Sequence, residues 1–346
     1  MRTTWRSRRG VLPRAKWLCV VAGFVAAVGM AGSANAEVGE VRLAYQYGIP
    51  YLPFIVMKKE KLIEQEAGKA GLGPIKVTWS RFGSGAAMND ALLSGRLDFA
   101  TGGVAPLLKI WDKSKGQFDV KGMASLGSMP MYLNTTDPKV KTIRDFTKDD
   151  KIALPAVKVS IQALVLEMAA AKEFGEKNFA QMDRNTVSMK HPDAMAALLS
   201  HAGIAAHFAN PPFQEMELDG KGVHRVLSSY EVLGEPSTLD AVYTTAKFHG
   251  DNPKTYQAVL LALRSAMTII NRDKKAAAEL YVAETHSKLG ADFVARIVAN
   301  PDFVFTTTPQ AIMKYAEFMH RVGAIHNMPE SWKDVFFPGI HGEPGS

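Results

Sequence analysis

The order of strand-like and helix-like segments constrains this chain more than any other feature. Val41, Leu43 and Tyr45 alternate as a half-buried strand does, and residues 46–53, broken by Gly48, Pro50 and Pro53, read as the loop leaving it. Residues 54–65 read as one helix, and Ile75, Val77 and Trp79 as a second strand. After Phe82-Gly83-Ser84-Gly85 comes a run of strong helix formers, residues 86–93, stopped by Ser94-Gly95. Residues 97–100 read as a short strand, Thr101-Gly102-Gly103 as a turn and residues 104–111 as a helix. This β-loop-α-β-loop-α order implies a largely parallel sheet with its loops at one edge.

The middle of the chain repeats the order. Residues 151–154 read as a strand broken by Pro155, residues 160–174 as a helix and residues 187–189 as a strand. Residues 194–200 follow as a helix, residues 204–208 as a strand and Asn210-Pro211-Pro212-Phe213 as a loop. Ala87-Met88-x-x-Ala91-Leu92-Leu93-Ser94 is echoed by Ala194-Met195-x-Ala197-Leu198-Leu199-Ser200. Two lobes built on one plan produce such an echo, and so does convergent use of good helix formers. Beyond these, Tyr256, Val259, Leu260, Leu263, Met267 and Ile270 share one helical face, as do Ile312, Tyr315, Met319 and Val322.

Charge separates the first residues from the rest. Residues 1–36 hold six of the 41 basic residues and none of the 34 acidic ones, which leaves 35 basic against 34 acidic residues beyond them. Composition therefore gives no argument for a nucleic-acid-binding body. Residues 1–36 read as a cleaved export signal: a basic stretch, an apolar run over residues 17–31, then Ala34-Asn35-Ala36 as a small-x-small cleavage site. The run falls short of the ~20 residues that span a bilayer. Ser7-Arg8-Arg9-Gly10-Val11-Leu12 resembles a twin-arginine signal, so both the general and the twin-arginine route stay open. The one cysteine, Cys19, lies in this leader, so no disulfide, thiolate nucleophile or cysteine-bound metal is expected after cleavage.

No P-loop, G-x-S-x-G elbow or H-E-x-x-H motif is present. The nine histidines are scattered and read as surface or packed structural residues. Asn134-Thr135-Thr136 matches a glycosylation sequon and reads as an ordinary turn. No cofactor, metal or catalytic residue is expected.

What remains is binding chemistry. Gly83-Ser84-Gly85 and Gly102-Gly103 each precede a helix, whose first N–H groups and dipole favour an anion or acceptor oxygen. Both also serve as tight connections. Ser160 starts a later helix and Gln162 follows, readable as ligand contacts or as an N-cap and a solvated side chain. Asn210-Pro211-Pro212-Phe213 offers a rigid aromatic wall. Tyr45, Tyr47 and Tyr51 are placed to stack or to pack, and Arg81 and Lys158 to neutralise an acid or to stay solvated.

With these residues in view, the chain resembles the solute-binding proteins of ABC importers in the nitrate/sulfonate/taurine, NMT1-like group. The resemblance runs over roughly residues 40–335. Val77-Thr78-Trp79-Ser80-Arg81-Phe82-Gly83-Ser84-Gly85 and Ala91-Leu92-Leu93-Ser94-Gly95-Arg96-Leu97-Asp98-Phe99-Ala100 carry it, with Gly103-Val104-Ala105-Pro106. His191-Pro192-Asp193-Ala194 and Pro211-Pro212-Phe213 look like second-lobe counterparts. A related eukaryotic thiamine-pyrimidine synthase carries a cysteine-rich motif that this chain lacks.

The resemblance implies an α/β, two-lobed periplasmic-binding-protein fold of type II. Each lobe would be a mainly parallel sheet flanked by helices, with the ligand cleft between them. Residues 37–130 and 240–346 would form lobe 1 and residues 131–239 lobe 2. The chain would cross near Met129-Pro130-Met131-Tyr132 and return near residues 238–243. The expected ligand residues are Gln46, Tyr47, Phe82, Gly83, Ser84, Gly85, Gly103, Val104, Ser160, Gln162, Asn210, Pro212 and Phe213. The implied function is periplasmic capture of a sulfonate, carboxylate or nitrate-like anion by a monomer, and its delivery to an inner-membrane permease. No nucleic-acid partner is implied. An exported enzyme on the same scaffold, or a sensor for a membrane kinase, would use the same cleft.

Overall fold

The structure is a computed structural model that describes residues 1–5 and 37–346. The apolar run and cleavage site expected within residues 6–36 lie outside the described residues. β1 (Glu40–Tyr45) is followed by α1 (Leu52–Lys59), α2 (Leu62–Lys69), β2 (Lys76–Arg81), α3 (Gly85–Leu93), β3 (Ala100–Gly103), α4 (Val104–Lys113) and β4 (Lys121–Ser128). The chain then enters a second sheet at β5 (Tyr132–Thr135). There follow β6 (Ile152–Leu154), α5 (Ile161–Phe174), β7 (Thr186–Ser188), α6 (His191–Leu199), β8 (Ala206–Ala209), α7 (Phe213–Leu218), β9 (His224–Ser228) and α8 (Ser229–Leu233). It returns to the first sheet as β10 (Thr238–Thr244). The rest is helical: α9 (Ala246–Asp251), α10 (Pro253–Arg272), α11 (Lys274–Thr285), α12 (Ala291–Ala299), α13 (Ile312–Arg321) and α14 (Trp332–Val335).

The two sheets share one plan. In the first, β2 lies parallel to β1, and β1 meets the residue before β3 in parallel, Leu43 beside Phe99. β10 runs antiparallel between β3 and β4. The order is β2-β1-β3-β10-β4. The second sheet reads β7-β6-β8-β5-β9, with β6 parallel to both neighbours and β5 antiparallel to both of its own. Orders and directions coincide. Each sheet is mainly parallel, as expected, and mixed: a single strand, β10 or β5, runs against the other four. The strand by which the chain arrives from the other sheet, β10 or β5, comes in from the opposite end and runs against its neighbours. The echoed segments are α3 and α6, each following the edge strand of its sheet.

Three local expectations change. Residues 54–65 form two helices, not one, because Lys61 adopts a left-handed conformation (φ 50°). Lys58 to Lys61 are four charged residues in a row, and the break turns Leu62 and Ile63 back into the core. Thr101-Gly102-Gly103 is part of β3, not a turn. Asn134 and Thr135 lie in β5, fully buried, not in a turn. The apolar face of α10 is buried as its periodicity predicts, against α1 and α2.

The Leu97-Asp98-Phe99 segment has a structural reason. Asp98, 8% exposed, accepts hydrogen bonds from the Arg42 backbone N–H (2.7 Å), from its Nε (3.0 Å) and from its Nη2 (2.7 Å). The carboxylate ties β1 to the segment entering β3. Asp98→Ala leaves the Arg42 N–H and guanidinium without these acceptors, and the expected loss is about 2–3 kcal/mol. Urea unfolding checks it; a change under about 0.5 kcal/mol would show that the clamp is dispensable.

Candidate functional site

Four helices begin at one place. Gly85 is the first residue of α3, Gly103 the N-cap of α4, Ser160 and Ile161 the N-cap and first residue of α5, and His191 the first residue of α6. All five line one cavity, with Gln46, Tyr51, Pro106, Pro155, Gln162, Asn210, Leu239 and Asp240. α3 and α4 follow strands of the first sheet, and α5 and α6 follow strands of the second. Each N-terminus has N–H groups without intrahelical acceptors and carries roughly half a positive charge. Among the described residues that line it there is no lysine or arginine.

The polar side chains here are held by one another. Gln46 donates from Nε2 to the Tyr51 hydroxyl (2.8 Å), which lies against the Asp240 carboxyl. Burial pushes Asp240 up to about 7, against a smaller opposing effect of Tyr51. At neutral pH that carboxyl is part protonated and can donate to an anion. Ser160 Oγ accepts from the Ala163 N–H (3.2 Å) and caps α5. Gln162 is buried, with Nε2 3.4 Å from His191 Nε2, so it is not a solvated side chain. Asn210 donates from Nδ2 to the Tyr47 carbonyl (3.3 Å), and its Oδ1 is buried with no partner among the described residues.

The two halves of the fold touch closely around the cavity. The Ile49 N–H donates to the Pro211 carbonyl at 2.9 Å. Lys109 of α4 donates to the Lys158 carbonyl, just before α5. A Cβ on Gly103 would lie 2.6 Å from Ile161 Cγ2. The space between is ≈ 20 Å³, about one water molecule. A second hollow of ≈ 170 Å³ shares Gln46 and Tyr51 with it, and Tyr45, Tyr47, Phe213, Met216, Tyr281 and Arg81 also line it. Arg81 sits 5.0 Å over the Tyr47 ring. The pair makes a small polar chamber with an aromatic vestibule.

Of the expected ligand residues, the chamber brings together Gln46, Gly85, Gly103, Ser160, Gln162 and Asn210, and the vestibule adds Tyr47 and Phe213. Phe82, Gly83, Ser84, Val104 and Pro212 line neither. Ser84 Oγ accepts from the Ala87 N–H (3.4 Å) and caps α3, and Val104 is in the core. Lys158 pairs with Asp183 at 3.8 Å, away from the chamber. Sequence reasoning missed Pro106, Pro155, Ile161, His191, Leu239 and Asp240 as lining residues, and it left Tyr51 between stacking and packing. The echoed segments held the clue to His191, which begins α6 as Gly85 begins α3.

Two sheets of one plan, with four helix N-termini between them, define a two-lobed binding protein of the periplasmic-binding-protein fold. The chain belongs to the NMT1-like family, whose model matches residues 34–285. No curated protein sequence matches it. Its fold is similar to the alkanesulfonate-binding protein of Xanthomonas axonopodis pv. citri bound to MOPS (TM-score 0.66, 20% identity, 87% of this chain and 97% of that one). It is similar too to the periplasmic nitrate-binding protein of Synechocystis PCC 6803 (TM-score 0.60, 17% identity, 76% and 70%). The Candida albicans CA3427 gene product, described as having the generic periplasmic binding protein fold, also matches (TM-score 0.64, 10% identity, 84% and 92%).

Two outcomes are expected. Gly103→Ala drives a methyl group into Ile161 and holds the lobes apart. Small-angle scattering should show a larger radius of gyration at unchanged far-UV circular dichroism; an unchanged radius would place the close approach elsewhere. Asp240, at about 7 against an ordinary 3.8, keeps its proton in the folded chain after the unfolded chain has released it. Stability from this group therefore falls as pH rises from about 4 to about 7. Asp240→Asn removes that fall, so its melting temperature should drop less than wild type between pH 5 and pH 8. Parallel curves would contradict this.

Proposed function

We propose that this protein is the periplasmic solute-binding component of an ABC importer, not an enzyme, and that its ligand is a small organic anion. Residues 37–130 and 240–346 act as lobe 1 and residues 131–239 as lobe 2. The ligand is captured in the chamber between them, and the closed form is what an inner-membrane permease reads. The observation that carries the reading is the meeting of four helix N-termini in one chamber with no lysine or arginine among the described residues that line it. Such an arrangement favours a negative group through N–H donors and helix dipoles, and exclusion of water strengthens both.

Family membership supports the class of protein, and proteins of the same fold include alkanesulfonate and nitrate binders. The vestibule favours an anion with an organic tail over nitrate. Its aromatic walls and Met216 suit an alkyl or aryl group, with Arg81 at the rim. Since the chamber itself is close to water-sized, such a ligand needs the lobes to part before they close around it.

Thermal unfolding of refolded protein, residues 37–346, against nitrate, ethanesulfonate, benzoate and a neutral pyrimidine tests this. A ligand at about 100 times its Kd stabilises by about 2.7 kcal/mol, a shift of a few degrees. Shifts with ethanesulfonate or benzoate are expected. A shift with the neutral pyrimidine alone would overturn the anion reading.

A further inference from the structure

Behind the chamber wall runs a chain of side chains that ligand contact alone does not explain. Glu217 on α7 and His207 on β8 are fully buried, and His191 is 5% exposed. Glu217 Oε1 is 2.5 Å from His207 Nδ1, and His207 Nε2 is 2.8 Å from His191 Nδ1. His191 Nε2 then faces the chamber beside Gln162. Asn134 Nδ2 donates to Glu217 Oε2 (2.9 Å), and Phe213 stacks on the His191 ring at 5.6 Å. The two imidazoles are in direct hydrogen-bond contact, which leaves no room for a metal ion between them.

Counting protons along this chain gives two states. An ionised Glu217 can only accept, so His207 Nδ1 carries a proton. One further proton lies between His207 Nε2 and His191 Nδ1. With those two protons alone, both imidazoles are neutral and His191 Nε2 presents a lone pair to the chamber. To present an N–H there, the chain must hold a third proton. It is then neutral overall, as one imidazolium beside the Glu217 carboxylate or as two neutral imidazoles with a proton on Glu217. Burial and the neighbouring His207 hold His191 well below the usual imidazole value, which favours the two-proton state without ligand.

We propose that Glu217 and His207 determine the selectivity of the chamber for anions by letting His191 take up one proton from solvent as the anion binds. This rests on the anion reading above. The anion oxygen gains an Nε2–H donor, and the added proton cancels the negative charge of the buried chain. A ligand that donates a hydrogen bond to His191 Nε2 binds with no proton uptake. Above the pH at which the free chain gains its third proton, anion affinity should fall about tenfold per pH unit.

Other titratable groups face this chain. Asp240 on β10 lines the same chamber and titrates near 7, and Glu215 on α7, buried beside Gln214, does so as well. Lys190 and Asp193 flank His191 and pair with each other at 3.3 Å near the surface. α5 contributes the neutral Gln162, and β5 the neutral Asn134. Asp240 is the main competing source of proton uptake, so the test is done without it.

Calorimetric titration of ethanesulfonate and of benzoate at pH 8, in buffers of different ionisation enthalpy, reads protons taken up per anion bound. For Asp240→Asn, uptake close to one is expected. For Asp240→Asn with Glu217→Gln, uptake close to zero and affinity at least tenfold weaker are expected. Ring-nitrogen NMR of the wild-type protein adds a measurement independent of the variants: His191 Nε2 should change from lone pair to N–H when the anion binds. Binding with no uptake in Asp240→Asn, or a His191 Nε2 that stays a lone pair in the complex, would overturn the relay and leave the anion reading standing. Failure of both anions to bind wild-type protein would overturn both.

Discussion

Four helix N-termini of like partial charge meet in one buried chamber, and the rest of the structure is arranged around that repulsion. Each helix end repels the others and leaves N–H groups in need of acceptors. The fold brings them together because each sheet places two of its helices at the same edge, and the two sheets have the same strand order. The polar side chains at these ends include the Ser160 hydroxyl, which caps α5, the Asn210 amide and the Asp240 carboxyl. None of them supplies a full negative charge at neutral pH and below. A bound anion would supply it, which connects the energetics of closure to the identity of the ligand.

The sheets make this possible by being mixed. β10 and β5 are the strands by which the chain passes from one half to the other, and β10 carries Leu239 and Asp240 into the chamber. β10, one of the two strands that link the halves, thus also lines the chamber, so a ligand held there and the relative position of the halves would be felt by the same residues. Gly103 sets how near the lobes come, because only hydrogen fits between its Cα and Ile161. The buried histidines stand on the lobe 2 side of the same contact and make the electrostatics of the chamber adjustable by one proton.

Much of the fold was legible in the sequence, because it is written in periodicity. The alternation of Val41, Leu43 and Tyr45, the amphipathic face of α10 and the echoed α3 and α6 segments all appear where they were read. Where the reading erred, contacts from far along the chain decided. Gly102 and Gly103 look like a turn in isolation, yet β10 pairs with them and makes them strand. Asn134 looks like a turn residue, yet β8 and β9 flank it and Glu217 occupies its amide. The site was partly legible because glycine and serine before a helix mark an N-terminus wherever the helix ends up. Asp240 and His191 were not, since their place depends on the strand that returns across the cleft and on the packing of α6. Burial, which gives both their unusual protonation, cannot be read from neighbours in sequence.

The most direct test of the account is the position of an anion seen in the chamber. Crystals grown with 4-bromobenzoate would show the bromine by its anomalous scattering and the carboxylate by difference density. The carboxylate is expected among Gly85, Gly103, Ile161 and His191, with bromine in the vestibule near Tyr47 and Phe213. A carboxylate bound at Arg81 with its ring in the chamber, or density only at surface lysines, would contradict it.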